Sequence, residues 1–292
     1  MRALTRVALI AYLSQIGSAS ALDYQELGAV KLLRSEKRFE DAIAKLERLA
    51  AKTSDPDENF HYLNIAIEVA ATSLKSFDRA MALSEKVADP GRRDYACLRV
   101  FSDFKRYDDA LARVRGKNID EWHARCRGSA HLILADIYQS KRDDNSAQDH
   151  RLKAIASQGA ETVVRGNAAN DAGQFCLKKG DLQGAEKLFQ EALEISPAYY
   201  AWRNASQIAL SRLLIQDQRA KEALRLFEGM DFLKVESPAS RGQLLEAYAR
   251  ALLAAGKKIK AVETFDALLQ SNISETWKER INKELDKMAE DF

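Results

Sequence analysis

Three sets of side chains in this sequence are of types that could do chemistry. His123, Cys126 and His131 share one predicted helix, and imidazole with thiolate is a zinc-binding combination. On a helix the three spread over about 80°, and no fourth ligand stands nearby, so no metal centre is expected. His61 and His150 stand alone. The three cysteines, Cys97, Cys126 and Cys176, are odd in number, which leaves at least one free thiol. Cys97 and Cys176 fall on predicted packing faces, and Cys126 lies about a dozen ångströms out of level with Cys97 by helical rise. The expectation is no structural disulfide, with the thiols acting as small apolar residues. The third set is polar. Arg212 and Arg250 stand at equivalent places along the sequence, one repeat apart, and two guanidiniums in line could hold a carboxylate or an acidic peptide segment bidentately. Asn167 and Asn170 offer amide donors and acceptors that match a peptide backbone. No Gly-rich phosphate loop, GxSxG elbow or HExxH helix occurs. The carboxylates sit near lysine and arginine, where ion pairing is their ordinary role. No catalytic residue and no cofactor are expected; the chemistry on offer is binding.

Composition narrows the class. Hydrophobic residues make up 46% of the 292 and charged residues 30%, while four prolines and thirteen glycines are too few for an all-β fold. The formal charge is +2, but Arg2 and Arg6 lie within Met1–Ala21; beyond that stretch 43 basic residues face 43 acidic ones, a net of zero. No basic stripe remains, which argues against a nucleic-acid partner. Met1–Ala21 reads MRALTRVALIAYLSQIGSASA: two arginines, an apolar run from Val7 to Ile16, then the small-x-small Ala19-Ser20-Ala21. That is the build of a secretory signal. The run is too short to span a bilayer as a resident helix. An exported protein, periplasmic or secreted, with no transmembrane segment once the leader is removed, is therefore expected.

The elements that must position the polar groups are announced by a repeat. Ala42, Ala80, Ala110, Ala147, Ala185, Ala223 and Ala261 fall at intervals of 38, 30, 37, 38, 38 and 38 in similar amphipathic contexts, such as FEDAIAKLERL and LQGAEKLFQEAL. A fixed period of this size means stacked supersecondary units. Before each alanine runs another apolar-periodic helix, whose residues thirteen, twelve and nine before the marker share the packing face: Ala172, Gly173 and Cys176; Leu210, Ser211 and Leu214; Tyr248, Ala249 and Leu252. Four residues after the marker come Phe189, Phe227 and Phe265, large plugs for the gap between helices. Around Ala147 the pattern weakens, because Arg151 stands where an apolar residue is expected. The interval of 30 implies a short helix from about Arg92 to Phe104. All four prolines fall between units. Asp55-Pro56, Ser196-Pro197 and Ser237-Pro238 each read as an N-cap with proline at the first helical position. Asn272 with Glu275 resembles a capping box opening a last helix to about Glu290, with Trp277, Ile281, Leu285 and Met288 on its apolar side.

The stretch Gly166–Pro197, GNAANDAGQFCLKKGDLQGAEKLFQEALEISP, reads as two helices joined at Lys179-Gly180-Asp181. It resembles a tetratricopeptide repeat: Gly173, Ala185, Phe189, Ala192 and Pro197 fall where that family places its small, aromatic and proline residues. The interval of 38 is about one helical turn longer than the family's period of about 34, and KAIASQG at residues 153–159 is reminiscent of the related Sel1-like type. The resemblance implies an all-α, right-handed superhelical solenoid of about seven hairpins over residues 22–272, with a capping helix at 273–292. It also implies a concave groove, lined by first helices, that takes peptides, protein termini or partner helices. Eleven residues before each marker stand Lys31, Val69, Arg99, Asp136, Gln174, Arg212 and Arg250; fifteen before come Asn170, Ile208 and Glu246; eighteen before come Asn167 and Gln243. The groove candidates are therefore Asn167, Asn170, Gln174, Arg212, Gln243, Glu246 and Arg250. The function implied is an exported adaptor or scaffold for a protein or peptide partner, with cell-envelope assembly as one setting. The alternatives are a self-associating assembly protein and an auxiliary domain of an enzyme.

Overall fold

The computed structural model describes residues 21–290 apart from Pro197 and Tyr199, with side chains described from residue 25 to residue 286. The expected leader lies outside these residues except for Ala21, and so do the expected roles of Pro197 and the Met288 side chain. Among the described residues there are fifteen α-helices and no strand: α1 (Ala21–Ser35), α2 (Phe39–Lys52), α3 (Pro56–Glu68), α4 (Phe77–Ser84), α5 (Pro90–Asp103), α6 (Tyr107–Val114), α7 (Ala124–Ser140), α8 (Asp144–Ala156), α9 (Thr162–Lys179), α10 (Leu182–Ile195), α11 (Ala201–Gln216), α12 (Ala220–Arg225), α13 (Pro238–Ala254), α14 (Lys258–Leu269) and α15 (Glu275–Glu290). The first fourteen pair consecutively as hairpins. The sequence reading treats 22–272 as one array; the chain divides between Ala160 and Glu161 into two compact units.

The repeat signal has a physical basis. All seven marker alanines are fully buried, because a methyl is what fits where the second helix of a hairpin crosses the first. Five residues before each marker the backbone enters the left-handed region: Lys37 (φ 60°), Lys75 (54°), Lys105 (59°), Arg142 (64°), Gly180 (79°), Gln218 (59°) and Gly256 (74°). In six of these turns the next N–H reaches back to a carbonyl five residues earlier, as in Asp181 N to Cys176 O (2.9 Å) and Arg219 N to Leu214 O (2.7 Å). That bond closes the first helix and reverses the chain. The turn at Lys75 differs because α3 runs into a π-helical turn at Val69–Ser73, and the closing bond there is Ser76 N to Ala70 O (3.0 Å). The inserted residue shifts the ladder by one position.

In the second unit the plugs close two cores. Phe189, Leu210, Leu214, Phe227 and Leu244 fill one, and Leu252, Phe265, Leu268 and Ile281 fill the other. Burying each such residue contributes roughly 1.5–3 kcal/mol. Gly173 lets α10 approach α9: a Cβ there would stand 2.7 Å from Phe189 Cε1. In the first unit, Ile43, Leu46, Leu63, Ile67 and Leu83 form one core, and Leu98, Leu134 and Ile137 another. Arg151 is buried, with its Nη2 donating to Gln139 Oε1 (2.7 Å) and its Nε without a partner among the described residues. Helix α5 has 14 residues against 16 to 18 in α7, α9, α11 and α13, the shortening that the interval of 30 implies.

Two expected caps are corrected. Ser196 does not open α11, which begins at Ala201; its N–H bonds Ala192 O (3.0 Å) and its side chain is buried, so it ends α10. The last helix is capped by Ser274 rather than Asn272: Ser274 Oγ accepts from Trp277 N (3.3 Å), while Ile273, the residue before it, is itself buried in the core and Asn272 is exposed. The other two caps stand, with Asp55 accepting from Asp57 N (2.8 Å) and Ser237 from Ser240 N (3.3 Å). No helix among the described residues is long and apolar enough to cross a membrane.

Candidate binding pocket on the second unit

The first helices of the second unit are α9, α11 and α13, each backed by its partner helix. On α11, Ala205, Ala209, Arg212 and Gln216 recur at spacings of four, three and four, so they line one face. With Leu177 of α9 and Gln243 of α13 they enclose a pocket of about 310 Å³. Its floor is apolar: Ile208, Ala209 and Leu213 are buried. Its rim is polar and exposed, with Gln174 from α9, Arg212 and Gln216 from α11, and Gln243 from α13. Three primary amides can each accept from a peptide N–H and donate to a peptide carbonyl. The guanidinium of Arg212 has no carboxylate partner among the described residues. An apolar floor with a few convergent polar groups is the usual build of a binding pocket.

Three of the seven groove candidates, Gln174, Arg212 and Gln243, thus meet at one place. The other four do not join them there. Asn170 is buried, accepts from Ser206 Oγ (3.0 Å) and donates to Asp171 Oδ1 (3.0 Å), tying α9 to α11. Asn167 is half-buried on α9, outside the pocket lining. Glu246 is buried, and its carboxylate gathers four donors: Arg250 Nε (3.1 Å) and Nη2 (3.0 Å) on Oε1, and Trp277 Nε1 (2.7 Å) and Arg280 Nη2 (2.7 Å) on Oε2. Arg250 also holds Glu284 through Nη1 (3.0 Å) and Nη2 (2.8 Å). The bidentate carboxylate that the sequence invites at Arg250 is therefore supplied by the protein's own helix α15. These groups dock α15 against α13 because a buried carboxylate must be paired and hydrogen-bonded. The pocket residues absent from the groove candidates are the apolar Ile208, Ala209 and Leu213 of the floor, together with Ala205, Leu177 and Gln216. Ala205 stands eighteen before its marker, in the row that supplies Asn167 and Gln243, but a lone methyl gives no binding signal. Leu177 and Gln216 stand eight and seven before theirs, one helical turn beyond the rows considered.

No family model and no curated protein matches this sequence. Solved structures do. The pilF structure of Pseudomonas aeruginosa is similar with a TM-score of 0.51 at 15% identity, over 78% of this chain and 99% of that one. A tetratricopeptide repeat protein from Parabacteroides merdae gives 0.43 at 12% identity, over 89% and 97%. The apo quorum sensor NprR from B. thuringiensis gives 0.41 at 13% identity, over 98% and 91%. The fold is that of a tetratricopeptide-type helical repeat.

The first unit holds a separate polar cluster, in which His131 pairs with His150, expected to stand alone, rather than with His123 or Cys126. His131 Nδ1 lies 3.0 Å from His150 Nδ1, and His131 Nε2 lies 3.4 Å from Asp120 Oδ1. The Tyr138 ring stacks on His150 at 11°. One tautomer set satisfies every contact: His150 Nδ1–H donates to His131 Nδ1, and His131 Nε2–H donates to Asp120. Burial lowers both histidines, and with His131 beside it His150 falls to about 4. Among the described residues no group of three or more ligating side chains could hold a metal ion. The cysteines are unbridged; burial pushes the Cys97 and Cys126 thiols up to about 12, and the half-buried Cys176 is raised as well.

Proposed function

We propose that this protein is a helical-repeat scaffold that holds a segment of a partner protein against α9, α11 and α13. The observation that carries the reading is the pocket of about 310 Å³ with an apolar floor, three rim amides and Arg212, whose charge no described carboxylate takes up. A short extended segment suits it: one aliphatic side chain on Ile208 and Leu213, backbone amides on Gln174, Gln216 and Gln243, and a carboxylate on Arg212. Such a site binds and releases; we assign it no turnover. We further propose that the leader at residues 1–21 exports the protein, so that the partner is met in the periplasm or outside the cell. Intact mass of the exported protein tests this, with cleavage after Ala21 expected and retention of Met1 refuting it.

The test of the site is a comparison of affinity captures from the protein's own compartment. Arg212→Glu combined with Gln174→Ala and Gln243→Ala should retain the wild-type circular dichroism and melting curve, because all three side chains are exposed. The same triple variant should lose the partner that wild type captures. Identical captured proteins at equal yield would sink the assignment. Arg250 is left untouched, since reversing its charge would undo the docking of α15.

A further inference from the structure

Three ion pairs at a sequence separation of 34 join neighbouring helices of this fold. Arg34 on α1 reaches Glu68 on α3 (3.3 Å), Arg280 on α15 reaches Glu246 on α13 (2.7 Å), and Arg250 on α13 reaches Glu284 on α15 (2.8 Å). Arg212 on α11 and Glu246 on α13 stand in that same register, at the same separation along the sequence, yet no such pair is made. Along the sequence Glu246 stands equally far from Arg212 and from Arg280, and in the structure it pairs with Arg280 (2.7 Å). A carboxylate has about four lone-pair sites. Those of Glu246 are all occupied, two by Arg250 and two by Trp277 and Arg280 of α15.

We propose that α15 sets the charge of the pocket: by capturing Glu246 it withholds from Arg212 its register partner and leaves that guanidinium open to a carboxylate of the bound segment. This rests on the reading of the pocket as a partner site and adds its regulation. When α15 is docked, Trp277 Nε1 and Arg280 Nη2 hold Oε2 of Glu246, and the pocket carries an uncompensated positive charge. When α15 undocks, two lone-pair sites of Glu246 are vacated, and Arg212 is the cation in register to fill them. Arg250, as the i,i+4 neighbour, keeps the other oxygen. The pocket then holds its own counter-ion, and a carboxylate from a partner must displace it. An aspartate or glutamate of the partner and its terminal carboxylate present the same chemistry to Arg212, and either is covered.

The test needs no ligand. Phenylglyoxal, which modifies free guanidiniums, is applied to the full-length protein, and modification at Arg212 is followed by peptide mass spectrometry. Trp277→Phe with Arg280→Gln should slow modification of Arg212 severalfold relative to wild type, and adding Glu246→Gln should restore it. Arg280→Gln alone removes a side chain that is 57% exposed, so it leaves the fold intact and should give a smaller slowing in the same direction; it replaces the double variant if that loses helicity. Equal Arg212 rates in wild type and Arg280→Gln overturn the proposal. So does slowing that persists with Glu246→Gln. Because the readout is the guanidinium itself, a negative result here leaves the capture experiment standing, and the reverse holds too.

Discussion

Gly180→Ala should destabilise the second unit by about 1 kcal/mol, and Gln218→Gly, at the equivalent turn of the next hairpin, should stabilise it by about 0.5–1 kcal/mol. Both residues occupy the left-handed position five before the marker alanine, with φ of 79° and 59°. That conformation costs an L-residue roughly 1–2 kcal/mol and costs glycine little. Against this, glycine loses more backbone freedom on folding, which offsets roughly 0.4–1 kcal/mol. The two terms leave a net of about 1 kcal/mol for inserting the methyl at Gly180 and somewhat less for removing the side chain at Gln218. Contacts do not blur the comparison, since a Cβ at Gly180 would meet nothing within 4 Å and Gln218 is exposed. The assay is urea unfolding followed by tryptophan fluorescence, because Trp202 and Trp277 both lie in the second unit, with circular dichroism as the check that the probes coincide. The two sites belong to different turns and should be additive, so the double variant should fall near wild type. A neutral Gly180→Ala, or a Gln218→Gly that lowers the midpoint, would refute the conformational account of these turns.

Gly173→Ala should also destabilise, by about 1–2 kcal/mol, although alanine is the better helix former. The overpacking of a Cβ placed 2.7 Å from the fully buried Phe189 outweighs the gain of about 1 kcal/mol in propensity. On a Phe189→Leu background the same change should become neutral or stabilising in urea melts; an unchanged cost would disprove the steric cause. For His150 the sign runs toward acid lability. Its pKa falls from 6.5 to about 4 on folding, so between those values the unfolded state binds a proton that the folded state refuses. Unfolding free energy should therefore drop as pH falls through that window and level off below it. The full shift corresponds to about 3 kcal/mol, which partial solvent access reduces to about 1–2 kcal/mol. His150→Gln should flatten the slope of first-unit stability between pH 6.5 and about 4, and an unaltered slope would assign the effect elsewhere.

The hairpins were legible because their signals are local and repeated. Ala185, Phe189 and Gly173 read as marker, plug and gap from spacing alone, and each is buried or crowded as that reading requires. The turns were half legible. Gly180 and Gly256 announce a left-handed residue, but Lys37, Lys75, Lys105, Arg142 and Gln218 adopt the same backbone without any residue-type signal. The two neighbouring helices enforce that conformation, and the side chain points harmlessly to water. Arg151 read as a defect because sequence shows its charge and not Gln139 waiting for it.

The site shows the same division more sharply. Rows counted from the marker nominate Gln174, Arg212 and Gln243, and the fold brings these three to one pocket, since residues at equal offsets on stacked helices share a face. The same counting nominated Asn170, Glu246 and Arg250, which the fold spends internally. Their partners Ser206, Trp277, Arg280 and Glu284 lie 31 to 36 residues away, and no spacing rule says which of several cations a carboxylate will take. The sequence by itself determined the helices, their pairing and the faces they turn to one another, because periodicity and marker residues act within a hairpin. The tertiary structure alone decided which polar groups of the first helices remain open, because that depends on a competition for partners between helices that are distant along the sequence. For Arg212 it was decided by α15, which took Glu246 first.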